Sequence, residues 1–87
     1  MVKYFFFENH DTGTVDYVLC FPNGEYRGDI QSAINKIYIE YSEKVSNREI
    51  HTAECELSNY ILNKLATKFW FSLCDFKCGL PYEVLHY

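Results

Sequence analysis

Val2-Lys3-Tyr4-Phe5-Phe6-Phe7-Glu8 is an aromatic, β-prone run, and Val15-Asp16-Tyr17-Val18-Leu19-Cys20-Phe21 is a second, with Asn9-His10-Asp11-Thr12-Gly13-Thr14 between them. Two such runs joined by turn-forming residues predict a β-hairpin. Alternation puts Tyr4 and Phe6 on one face and Phe5 and Phe7 on the other, so the first strand is apolar on both sides. A strand of that kind belongs in the middle of a sheet, or under cover. Pro22-Asn23-Gly24 then stops the second strand with ordinary turn chemistry.

Working outward, Asp29 offers an N-cap after Gly28. Ile30, Ala33, Ile34, Ile37, Tyr41 and Val45 recur at the spacing of one helical face, which predicts a first helix over residues 29–44. Ile39 projects opposite Ile30, among Ser32, Asn35 and Glu43, so the core that holds the other six does not reach it. Ile39 therefore calls for a second surface. Ser46-Asn47-Arg48-Glu49 matches the Ser-x-x-Glu capping box and predicts that a second helix starts there. Its stripe, Ile50, Ala53, Leu57, Tyr60, Ile61 and Leu65, runs out near Ala66, and the short link makes the two helices antiparallel neighbours.

Lys68-Phe69-Trp70-Phe71-Ser72-Leu73 returns to a β-like aromatic pattern, and Pro81-Tyr82-Glu83-Val84-Leu85-His86-Tyr87 offers a last strand across a turn at residues 75–80. The order is ββααββ. The fold class that follows is α+β in two layers, an antiparallel sheet of two to four strands packed on an antiparallel helix pair, with residues 1–87 as one domain. The alternative extends the second helix through Phe71 and leaves a C-terminal tail.

The chain has 87 residues, 48% of them hydrophobic and 18% aromatic, with only four Gly and two Pro. A domain of this size buries about 60–65% of the surface its unfolded chain exposes, which leaves little room for a deep catalytic cleft. Twelve Asp and Glu against eight Lys and Arg give a net charge of −4. Direct nucleic-acid binding is not expected, because it needs clustered cations to displace counterions. No apolar run approaches a signal peptide or a membrane span, so the expected location is cytoplasmic and the four cysteines are expected as free thiols.

Several short motifs suggest chemistry. Asp11-Thr12-Gly13 spells the triplet around the aspartic-protease carboxylate, but a hairpin turn accounts for it, and Arg27-Gly28-Asp29 is accounted for by a helix start. His51-x3-Cys55 with Cys74-x3-Cys78 supplies four zinc-type ligands, and metal binding would stabilise so small a domain. The zinc-deaminase pattern is not met, since Glu54 stands three residues after His51 and no proline precedes Cys74. Glu54 and Glu56 flank Cys55, an unfavourable setting for a nucleophilic thiolate. No phosphate loop, nucleophile elbow or dinucleotide fingerprint is present. The reading is non-enzymatic with no cofactor; zinc on His51, Cys55, Cys74 and Cys78 is the alternative.

Glu40, Glu43, Glu49, Glu54 and Glu56 make the middle of the chain acidic, so a protein partner is expected to present a basic surface. The aromatics exceed what a two-layer core of this size buries, and Tyr and Trp are effective contact anchors. Tyr26, Tyr38, Ile39, Glu40, Glu43, Trp70, Tyr82 and Tyr87 are accordingly the candidate partner-binding residues. In length, acidity and lack of catalytic motifs the chain resembles the small inhibitors that phages and other mobile elements direct against host defence, anti-CRISPR proteins among them. That resemblance is one of character and transfers no residue; it implies an inhibitor or adaptor acting inside a cell, an infected host cell included. An acidic nucleic-acid mimic is the further alternative, and a homodimer would offer another use for the surplus aromatics.

Overall fold

The expected hairpin forms in the computed structural model, which describes residues 3–75 and 79–87. Strands β1 (Lys3–Glu8) and β2 (Val15–Phe21) pair antiparallel, with Phe5 opposite Leu19 and Phe6 opposite Val18. In the connection, Asn9 Oδ1 accepts from the Asp11 N–H at 2.9 Å, and Gly13 takes the left-handed φ of 71° that a side chain disfavours. The register slips between Phe7 and Glu8, whose partners are Tyr17 and Val15, so Asp16 is a bulged extra residue.

Period-two alternation decides which rings are buried. Phe5, Phe7, Leu19 and Phe21 are fully buried against the helices, whereas Phe6 and Val18 face the other way and are half-buried. Helix α1 (Arg27–Ser46) contributes Ile30, Ala33, Ile34, Ile37 and Tyr41 to that core, the stripe expected of it. Helix α2 (Leu57–Leu65) adds Tyr60, Ile61, Leu62 and Leu65. Glu40 meets Lys64, and the Tyr41 and Tyr60 rings lie 5.2 Å apart.

The helix boundaries correct the capping-box expectation. Ser46 closes α1 instead of opening α2. Arg48 adopts a left-handed φ of 61°, its N–H donates to the Val45 carbonyl, and the Glu49 N–H donates to the Lys44 carbonyl at 2.8 Å. That pair of bonds is a Schellman termination, and it overrides the local cap signal because it satisfies carbonyls that α1 would otherwise leave open. The next turn holds His51 and Cys55, and Ala53, expected in the apolar stripe, is exposed. At the front end α1 begins at Arg27, with Asp29 in its first turn rather than capping it.

The element order is ββααββ as expected, but the sheet is mixed rather than antiparallel. Strand β3 (Ser72–Leu73) pairs antiparallel with β2, and strand β4 (Glu83–His86) pairs parallel with β1, giving the order β3-β2-β1-β4. The physical reason lies in the connection. Asp75, Leu80, Pro81 and Tyr82 lie against Tyr4, Phe6 and Val18 on the sheet face away from the helices, and the Tyr82 ring stacks on Phe6 at 4.0 Å. Residues 80–82 thus cross that face, and β4 lies on the far side of β1 in the direction β1 runs. β1 is the central strand its two apolar faces demand, and the β3 run is shorter than its aromatic pattern suggested.

The β4 edge is closed by α1. Arg27 Nε donates to the Val84 carbonyl at 2.8 Å, Gln31 Nε2 donates to the His86 carbonyl at 2.7 Å, and the His86 N–H donates to Gln31 Oε1 at 2.9 Å. A side-chain amide here imitates one more rung of the ladder and withholds the edge from other strands.

Candidate functional site

Helix α1 turns one face to the sheet, and its opposite face carries Tyr38 and Ile39, which are 42% and 57% exposed. Two surface hollows meet at these residues. One, of about 510 Å³, is lined by His10, Gln31, Asn35, His86 and Tyr87 as well; the other, of about 350 Å³, by Ser42, Glu43, Ser46 and Asn47. The edge clamp forms the floor of the first. His10 holds it shut at one end, with its backbone N–H donating to the Tyr87 carbonyl at 3.1 Å and its Nδ1 2.6 Å from the same oxygen.

The structure brings Tyr38, Ile39, Glu43 and Tyr87 together around this trough. Tyr87 is half-buried and stacks on Phe7 with ring centroids 4.4 Å apart, so it joins the core to the trough. Glu40 stands between Lys44 at 3.7 Å and Lys64 at 3.6 Å, and its charge is balanced within the helix pair. The others lie elsewhere. Tyr26 is exposed beneath Lys3, Trp70 is exposed after α2, and Tyr82 is held on Phe6.

A second groove, of about 530 Å³, lies where β3 leaves the sheet. It is lined by Phe6, Val15, Asp16, Tyr17, Val18, Leu73, Cys74 and Asp75. Sequence reasoning missed it, because it depends on where the crossing segment goes. The bulge at Asp16 and the brevity of β3 shape it, and neither leaves a sequence signal.

The suggested metal ligands are distributed through the fold. His51 and Cys55 belong to one turn between the helices, where the Cys55 N–H donates to the His51 carbonyl. Cys74 lies at the edge of the sheet with its thiol toward the Val18 carbonyl, and Cys78 is outside the described residues. Among the described residues no group of three or more His, Cys, Asp or Glu is placed to hold a metal ion. Cys20, Cys55 and Cys74 are free thiols. Asp11-Thr12-Gly13 forms the hairpin turn.

Two groups have perturbed proton affinities. Burial raises the Tyr41 phenol above its ordinary value, with Cys55 and Glu56 adding to the shift, while its hydroxyl donates to the Cys55 carbonyl at 2.7 Å. Charge on Tyr60 chiefly holds the Lys44 ammonium above the usual lysine range, with Glu40 and Glu49 contributing. For Tyr41 the folded state prefers the neutral phenol. Its contribution to stability is complete below the unfolded value of 10.0 and is lost as pH rises through the folded value. Denaturant melts between about pH 9 and 11 should show wild type losing stability more steeply than Tyr41→Phe; parallel slopes would mean that this phenol titrates alike folded and unfolded.

Fold and surface together define a small α+β domain with a four-stranded mixed sheet, two helices and shallow surface grooves. No protein-family model, curated protein or solved structure matches the chain. Among the described residues no helix is long and apolar enough to cross a membrane.

Proposed function

We propose that this chain is a non-enzymatic protein-binding module, an inhibitor or adaptor that seats another protein on the outer face of α1. The observation that carries the reading is the pairing of Tyr38 and Ile39, both exposed on a helix whose other face fills the core, at the junction of two hollows. An isoleucine more than half exposed beside a tyrosine contributes nothing to the core and adds to the cost of hydration. Contact with a partner recovers that cost, and tyrosine gives wide contact area for little lost side-chain freedom.

The supporting frame is rigid. The trough is built on a 20-residue helix, and its floor is fixed by the Gln31 bonds to β4. Such a site is pre-organised, which lowers the ordering cost of association. Glu43 is the acidic group at its rim, so a partner presenting lysine or arginine there gains in association rate and salt dependence. The inhibitor character, the intracellular setting and the anti-defence role belong to this same proposal.

Tyr38→Ala combined with Ile39→Asp should abolish capture of the partner in affinity purification from a host lysate. The circular-dichroism melt should stay nearly unchanged, because neither side chain belongs to the core. Capture that survives the double substitution removes α1 from the interface.

A further inference from the structure

The groove beside β3 differs in chemistry from the α1 trough, and it lies at the edge of the sheet where β3 ends beside the bulge of β2. Its apolar surface comes from Phe6, Val15, Tyr17, Val18 and Leu73, with Val15 and Leu73 exposed at 40% and 57%. Among the described residues that line it, Asp16 and Asp75 are the charged ones, and both are acidic. The ion pairs found among the described residues involve Glu83, Asp11 and Glu40 and leave these two carboxylates out.

We propose that this groove is a docking site for an extended basic segment of a partner protein, one in which arginine alternates with an apolar residue. Arginine fits for two reasons. Its aliphatic stem lies favourably along apolar surface such as Val15 and Val18, while its planar guanidinium matches carboxylates in a fork geometry that lysine does not reproduce. Both exposed hydrophobics of the groove are then covered by the apolar residues of the segment.

Backbone strand addition is the weaker mode here. Asp16 is bulged and carries its charge at the edge, and β3 offers only two paired residues, both of which blunt an edge against ladder formation. Recognition accordingly rests on side chains. This site is independent of the α1 trough, so the chain has two separate faces with which to engage protein, and loss of one leaves the other.

The test uses the full chain, labelled for amide NMR, and two blocked five-residue peptides, one alternating valine with arginine and the other valine with glutamate. The arginine peptide should shift the amides of Val15 to Val18 and of Leu73 to Asp75, weaken markedly as salt screens the charges, and leave Tyr38 to Asn47 unmoved. Asp16→Asn with Asp75→Asn should weaken it at least about tenfold, as expected where a charge-assisted contact is lost. Asp75→Asn alone should give an intermediate loss and serves as the reference if the double variant melts early. Equal binding of the glutamate peptide, undiminished binding to the variants, shifts confined to α1, or no shift at millimolar peptide overturns the proposal. So does a concentration-dependent dimer that covers Val15 and Leu73, since the occupant is then a second copy. Tyr38→Ala with Ile39→Asp should leave this titration unchanged, which separates its failure from failure of the α1 reading.

Discussion

Phe7→Ala should remove about 3–5 kcal/mol of stability, the range for emptying a fully buried phenylalanine site. Phe7 has no exposed surface, sits on the central strand, and stacks against Tyr87, with the Tyr17 ring centroid 6.4 Å from its own. Each of those neighbours is tied elsewhere. Tyr17 donates through its hydroxyl to Asn59 Oδ1, and the Tyr87 backbone is bonded to both Glu8 and His10, so the cavity has little freedom to collapse. A domain of this size has about 4–13 kcal/mol of total stability. Thermal melting of Phe7→Ala should therefore fall by roughly 12 °C or more, and the variant should approach unfolding under mild denaturant. Phe6→Ala is the control on the other face. An equal loss there would show that the two sides of β1 are buried alike, contrary to the alternation described above.

The second large effect concerns the closed edge. Removing Arg27 and Gln31 together, each to Ala, deletes three hydrogen bonds to β4. At about 0.5–1.5 kcal/mol apiece the cost is about 1.5–4.5 kcal/mol, and it falls on one strand rather than on the whole sheet. Local opening of β4 should precede global unfolding. Hydrogen exchange reads it directly, because the His86 N–H donates to Gln31 Oε1 and not to another strand. In Gln31→Ala that amide should exchange far faster, while amides of the β1–β2 ladder keep their protection. A His86 amide that remains protected would show that the edge is held by something other than the side-chain clamp. The double variant should also self-associate at high concentration, since an uncovered strand edge is a template for pairing.

Much of this architecture is legible because burial imposes a period. The alternation from Tyr4 to Phe7 marks β1 as central, and the Ile30-to-Tyr41 stripe marks the inner face of α1 with Ile39 outside it. These are local patterns that the core enforces residue by residue. What escaped was decided at longer range. The capping box at Ser46 was a valid local signal that lost to the termination of the preceding helix at Arg48. The direction of β4 follows from residues 80–82 crossing the sheet, where Tyr82 stacks on Phe6; no periodicity encodes a meeting of that kind.

The candidate surfaces follow the same division. Ile39 and Tyr38 stand out from sequence because they violate a helical stripe, so the α1 face could be anticipated from the misfit alone. Arg27 and Gln31 read as ordinary polar residues one turn apart, and their role emerges only once β4 lies beneath them. The groove at Asp16 and Asp75 joins a bulge to the point where β3 ends, two residues far apart in sequence that share no pattern.

The parallel pairing of β1 with β4 also governs the order in which the molecule can be made. One side of β1 is completed by its hairpin partner a few residues later, whereas the other waits for a segment nearly a whole chain away. Such distant pairing raises the entropic barrier and slows folding relative to a meander of the same length. As the chain emerges from the ribosome, the first strand and both helices are in place before their last neighbour exists. Through that interval the flank of its own most apolar strand stays uncovered, a surface open to association until β4 has been synthesised.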